Sequence, residues 1–201
     1  MDTLDLTEST RRTAAVVRGV GEEQLSDPTP CEQMPVGLML AHLHGLAHAF
    51  RDAARKIEGP TTSTPPDPAA LVLAADWRES IPVYLENLAA AWNESGNRRG
   101  DTKAGGQPMP AEVALLVALD EVVLHGWDLA VATGQDYEVD PQALDAVEQF
   151  CAEIPDDPAE RVGLFGPRVP VPETAGQWDR VLGLAGRDPG WRPDVAGPRR
   201  G

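Results

Sequence analysis

The chain has 201 residues, 42% of them hydrophobic, and a formal net charge of −15 from 32 acidic and 17 basic side chains. That length suits one domain, or one with an appendage, and the acidic balance lacks the basic footprint that nucleic acids or anionic membranes require as partners. With no long uncharged apolar run, no secretion-signal pattern and only Cys31 and Cys151, outside any CxxC, the expectation is a soluble cytoplasmic protein without a disulfide framework.

Helical periodicity dominates, with no convincing run of alternating β-branched residues. A first helix is predicted from just after Asp2 or Asp5 to about Val20, ending near Gly21. Beyond a loop from Glu22 to Pro35, a second helix spans Val36 to about Ile57, started by Pro35. Gly59 to Pro68 reads as a linker rich in Pro and Thr. The third helix, Ala69 to about Trp92, has to accommodate Pro82, which predicts a kink or break near Glu79. A long polar loop, Asn93 to Pro110, leads to the fourth helix, Ala111 to Ala132, which stops at the glycine of Thr133-Gly134-Gln135-Asp136. A shorter helix from Pro141 to Ile154 follows, then an irregular segment from Pro155 to Pro172. An amphipathic helix around Thr174 to Ala185 precedes an extended tail, Gly186 to Gly201. Four long helices with two long connections suit an all-α four-helix bundle over residues 1–139. Residues 140–201 then add short C-terminal helices and the tail, packed on the same domain.

The chemistry concentrates in the fourth helix. Residues three and four apart share a helical face, so Glu121, His125 and Asp128 form one polar stripe among Ala114, Val117, Ala118, Leu129 and Ala132. Those neighbours are small or apolar, so the stripe points into the protein, where a carboxylate must be paired, neutralised or bound to a metal. Two protein ligands rarely suffice for a catalytic metal, and three with one open position is usual for Zn²⁺. The remaining histidines all lie on the second helix. His42 shares an apolar arc with Leu38, Met39, Leu43, Leu46 and Phe50. His44 and His48 have the more obvious i, i+4 spacing but share an arc with Gly37, Ala41, Arg51 and Asp52 that reads as solvated. His42 is therefore the favoured third ligand, and a metal-free histidine hydrogen-bonded to Glu121 or Asp128 stays open beside it.

These residues also carry a resemblance. Thr29-Pro30-Cys31-Glu32-Gln33-Met34-Pro35-Val36-Gly37-Leu38-Met39-Leu40-Ala41-His42-Leu43 resembles the first metal-ligand helix of the DinB-like proteins. Among these, it is most similar to the metal-binding domains of the mycothiol-dependent maleylpyruvate isomerase family. Glu121-Val-Val-Leu-His125-Gly-Trp127-Asp128 through Gly134 resembles that family's second ligand segment. Arg168-Val-Pro-Val-Pro172 and Asp179 to Trp191 resemble the C-terminal signature of a short actinobacterial subfamily of metal-binding proteins. Met34 stands where the family commonly has Trp. The resemblance implies a DinB-like four-helix bundle with short C-terminal helical additions and a divalent metal held by His42, Glu121 and His125. Zn²⁺ suits that set best, and Ni²⁺, Mn²⁺ or Fe²⁺ also fit. It further implies a low-molecular-weight thiol, mycothiol, as co-substrate in S-transfer to, or isomerisation of, a small electrophilic molecule.

Asp128 is the catalytic candidate, as a base or by orienting a ligand imidazole; pairing with an arginine is its plainer role. Trp127 faces away from the stripe and reads as packing, as do Met34 and Met39. Cys31 has no activating base beside it in sequence and reads as a small buried residue. Arg11, Arg12, Arg98 and Arg99 are candidates for an anionic substrate's carboxylates. Apolar positions on the far side of the fourth helix would serve a homodimer. No P-loop, dinucleotide fingerprint, GxSxG elbow or zinc-finger spacing is present. A non-catalytic metal-binding or sensing bundle acting through protein contacts is the alternative to an enzyme.

Overall fold

The first helix begins where a carboxylate can hold its open end: Asp5 Oδ1 accepts hydrogen bonds from the Thr7 amide at 2.8 Å and the Thr7 hydroxyl at 2.6 Å. The computed structural model describes residues 4–65, 67–94, 96–161 and 163–193, so a start just after Asp2 lies outside the described residues. The chain runs α1 (Thr7–Gly19), α2 (Val36–Ala54), a single turn α3 (Pro60–Ser63) and α4 (Trp77–Asn93). A hairpin of β1 (Asp101–Ala104) and β2 (Gln107–Pro110) follows, then α5 (Ala111–Ala132), α6 (Pro141–Glu153), a single turn α7 (Pro158–Arg161) and α8 (Gln177–Leu184). α1 and α2 each pack against both α4 and α5, which closes the four long helices into a bundle.

One apolar stripe from each helix fills the interior. Val16 and Val17 of α1, Met39, Leu40 and Leu43 of α2, Ile81, Leu85 and Leu88 of α4, and Leu119 and Leu124 of α5 are buried. Each such side chain contributes roughly 1.5–3 kcal/mol through area removed from water. From Val122 to Ala130 every residue of α5 is buried, because α6 packs on it and Trp127 meets Trp178 of α8 edge to face at 6.4 Å. The far side of α5 over those residues is thus taken up inside the chain rather than free for a second copy.

Four expectations need correction. α4 starts at Trp77, not Ala69, and runs unbroken through Pro82. The late start leaves Pro82 near the beginning of the helix, where its missing N–H deprives only the Arg78 carbonyl of a bond, and no break near Glu79 results. The expected loop before α5 contains the hairpin, with Asp101 opposite Pro110 and Ala104 opposite Gln107. Gly105 and Gly106 turn it with φ of 56° and 81°, a conformation that side chains resist. Gly186 to Pro193 is not an extended tail, since Arg187 is buried and Trp191 packs on the core; the remaining tail positions, 194–201, lie outside the described residues. The segment expected to be irregular between Pro155 and Pro172 contains α7.

The C-terminal part is fastened by a buried guanidinium. Arg161 donates to the carbonyls of Gly166 at 2.8 Å, Leu184 at 2.7 Å and Pro155 at 3.3 Å. Gly186 then turns with φ 77°, so close to Gly166 that a Cβ would sit 2.7 Å from its carbonyl oxygen. This crossing aims the next residue, Arg187, back into the bundle. Among the described residues no helix is long and apolar enough to cross a membrane.

Candidate metal centre

Helices α2 and α5 face one another, and their polar stripes meet. Glu121 Oε2 lies 3.2 Å from His42 Nε2 and 3.0 Å from His125 Nε2. The two imidazole rings stand 4.9 Å apart at 88°. One ligand atom from each of His42, Glu121 and His125 lies within 4.8 Å of the other two, and among the described residues no further group of three His, Cys, Asp or Glu side chains converges in this way. The cluster is not sealed. The Glu121 side chain is 29% exposed and that of His42 17%, so the stripe reaches solvent at this edge rather than lying wholly in a dry interior.

Behind the trio the site is closed. Asp128 is fully buried, and its Oδ2 accepts from His125 Nδ1 at 2.9 Å and from Arg187 Nη2 at 3.1 Å; Arg187 Nε reaches Oδ1 at 3.5 Å. Arg187 also donates to the Ala185 carbonyl at 2.8 Å. Asp128 therefore hydrogen-bonds His125 and pairs with an arginine at the same time. With Nδ1 of His125 committed to Asp128, Nε2 is the nitrogen turned toward Glu121.

The charges are strongly coupled. Burial alone would push His125 down, but its hydrogen bonds to Asp128 and Glu121 outweigh this and raise it to about 9. Burial likewise works to raise Glu121, and hydrogen bonds from His125 and His42 overcome it, holding the carboxyl well below the usual carboxylate range. Asp128 is held low against its burial by Arg187 and His125. His125 thus stands as an imidazolium giving both ring protons to carboxylates, a positive charge where two imidazole nitrogens and a carboxylate oxygen converge. Loss of the Nε2 proton leaves that nitrogen as a ligand still pinned through Nδ1. The donor set fits a borderline divalent cation, with two nitrogens and one oxygen and a solvent-facing edge for a further ligand.

The other candidates fall elsewhere. Arg11 and Arg12 pair with Glu8, while Arg98 donates to the Trp92 carbonyl and to Asn93 and Arg99 is exposed. None of the four is bonded to the trio or to Asp128. Trp127 is core packing. Cys31 is half-buried rather than buried, and burial followed by the negative charge of Asp128 pushes its thiol up, away from the thiolate. His44 and His48 do not lie on an open face: Tyr84 of α4 packs on both rings. Two residues near the centre are hard to see in the sequence. Arg187 lies within the Asp179 to Trp191 signature, but nothing there shows that its side chain turns inward. Asp120, buried and bonded to the Cys151 thiol at 3.4 Å, is raised to about 7 by burial and then by Glu121; its apolar surroundings on α5 are the available clue.

A family model, the mycothiol maleylpyruvate isomerase N-terminal domain, matches residues 6–130. Two proteins of Mycobacterium tuberculosis, from strains CDC 1551 / Oshkosh and ATCC 25618 / H37Rv and both described as uncharacterized, are each 32% identical over 140 residues, 69% of this chain and 70% of theirs. Among solved structures, the crystal structure of the mycothiol-dependent maleylpyruvate isomerase superposes with a TM-score of 0.58 at 16% identity, over 72% of this chain and 65% of that one. A histidine-to-alanine mutant of that enzyme gives 0.58 at 15% identity, over 76% of this chain and 74% of the other. At such identity the likeness is one of fold, a DinB-like helical bundle, and the chain spans 65% of the solved isomerase's length.

Proposed function

The chain belongs to the mycothiol maleylpyruvate isomerase N-terminal domain family, and we propose that it is a metal-dependent enzyme using a low-molecular-weight thiol, mycothiol, in S-transfer to, or isomerisation of, a small electrophile. His42, Glu121 and His125 would hold the cation, Zn²⁺ by preference for such a donor set. The observation that carries this reading is the convergence of three ligand atoms within 4.8 Å beside a solvent-facing edge. Bound there, a divalent cation supplies a position at which a thiol is held as its thiolate.

The chain's own residues do the rest. Asp128 keeps the proton of His125 on Nδ1 and so presents Nε2 to the centre. Because Asp128 is fully buried, it acts through His125 as a positioning residue and does not touch substrate. Arg187 keeps that carboxylate ionised. A thiol and an acceptor would approach from the solvent-facing side of Glu121, whose side chain is 29% exposed.

The test is metal content per chain on tag-free protein, followed by turnover with mycothiol and a broad panel of electrophiles. One metal per chain, lost in His42→Ala, together with metal-dependent conjugation or isomerisation, is the expected result. A metal-loaded protein that handles no acceptor with mycothiol would overturn the enzymatic reading, and a metal content unchanged in His42→Ala would overturn the centre itself.

A further inference from the structure

Helix α2 carries a second pair of imidazoles that the centre above does not use. His44 and His48 sit at i and i+4, on the arc turned to α4 rather than to α5. Their ring centroids are 5.3 Å apart and their planes 75° apart. Tyr84 of α4 closes over both, 4.7 Å from His44 and 3.8 Å from His48. The pair is half-buried in the seam between the two helices, and Nε2 of His44 is buried with no hydrogen-bond partner.

A buried ring nitrogen without a partner is costly, and coordination satisfies it. Two imidazoles one helical turn apart is also the spacing at which a single cation takes both. Among the described residues no carboxylate converges with the pair as a third ligand, although the charge of Asp76 is felt at His44. Asp52, the nearest acid by sequence, is bonded to Arg51 at 2.6 Å and to Thr61 at 2.8 Å. A site of two nitrogens completed by water favours a metal of tetragonal N,O preference at the top of the divalent affinity order. We propose that His44 and His48 form a second cation site, selective for Cu²⁺ over Ni²⁺ and Zn²⁺ and separate from the His42–Glu121–His125 centre.

The chain has four histidines, which permits a clean experiment. In the tag-free triple variant H42N/E121Q/H125N, only His44 and His48 remain as imidazoles. That protein is dialysed against Cu²⁺, its copper content measured, and its electron paramagnetic resonance spectrum recorded. One Cu²⁺ per chain is expected, with hyperfine coupling to two imidazole nitrogens, and adding H44N and H48N is expected to weaken copper binding at least a hundredfold. Spectra without imidazole coupling, or copper binding unchanged by H44N and H48N, would overturn the site. Circular dichroism checks folding; should the fivefold variant not fold, H48N alone in the triple background decides, since one nitrogen must then replace two. The first centre is scored independently, because H44N/H48N in the otherwise unaltered chain should keep the metal bound by His42, Glu121 and His125.

Discussion

Substituting Asp128 by asparagine separates the two duties of that carboxylate. Its Oδ2, fully buried, accepts from His125 at 2.9 Å and from Arg187 at 3.1 Å. Asparagine keeps the shape and can accept one of these bonds, but Arg187 is left buried without a counterion. Removing one partner of a buried ion pair costs about 3–5 kcal/mol. Arg187 keeps its bond to the Ala185 carbonyl, so the low end applies, roughly 3 kcal/mol. For a chain of this size that is a fall in Tm on the order of 10 °C. Metal affinity should drop about 10- to 100-fold, the usual effect of losing the carboxylate behind a ligand imidazole. Urea denaturation gives the first quantity and competition against a chromophoric chelator the second. The double variant Asp128→Asn with Arg187→Met discriminates further: most of the stability should return once the unpaired guanidinium is gone, while metal affinity stays low. A folded Asp128→Asn protein that binds metal as tightly as the parent would refute the orienting role. A double variant no more stable than the single would refute the ion-pair origin of the destabilisation.

His125 titrates at about 9 in the folded chain against 6.5 when unfolded, and a raised basic group stabilises fully below its unfolded value and loses that contribution as pH climbs through the folded one. Metal-free protein should therefore lose on the order of 3 kcal/mol between pH 6.5 and 9 from this group, while metal affinity rises over the same window because the cation displaces a proton. Flat profiles in urea denaturation and chelator competition would contradict the assignment. Gly126→Ala puts a methyl 2.4 Å from both Thr13 Oγ1 and the Tyr137 hydroxyl, so the Thr13–Tyr137 bond of 2.9 Å and the Thr13 bond to the Val122 carbonyl at 3.1 Å must give way. A loss of about 2–3 kcal/mol in thermal or urea unfolding is expected, and an unchanged Tm would mean α1 and α5 are not in such close contact. Asp120 is an acid raised from 3.8 to about 7, so the folded form loses stability as pH rises from about 4 to 7, and the full penalty is in place above that. Asp120→Asn should stabilise the protein by about 4 kcal/mol at pH 8 and by almost nothing at pH 4; equal effects at both would rule out a buried charge as the cause.

Whatever a single helix decides for itself is legible along the chain. α5 runs from Ala111 to Ala132, as its unbroken apolar pattern indicates. The placing of His42 opposite Glu121 and His125 follows from the apolar arcs of two helices. Features that depend on a partner elsewhere are not legible. Arg187 reaches Asp128 across 59 residues, and although it lies in the Asp179 to Trp191 signature, neither its polarity nor its spacing (Leu-Ala-Gly-Arg-Asp) shows that it is buried. The arc of His44 and His48 looks solvated on a wheel of α2 alone, and it is Tyr84 on α4 that covers it. The hairpin is hidden because its strands are four residues each and β2 holds two prolines, leaving Gly105-Gly106 as the one sign of a turn.

The match to the family model ends at residue 130, while the guanidinium behind the centre comes from position 187. The three side chains and the cation that pairs with Asp128 behind them thus come from different stretches of polypeptide. A relative that retains the bundle but carries a different C-terminal segment would keep the three converging side chains and lose the guanidinium that holds Asp128 ionised behind His125. Swapping C-terminal halves between such relatives would accordingly change the support behind Asp128 without altering His42, Glu121 or His125.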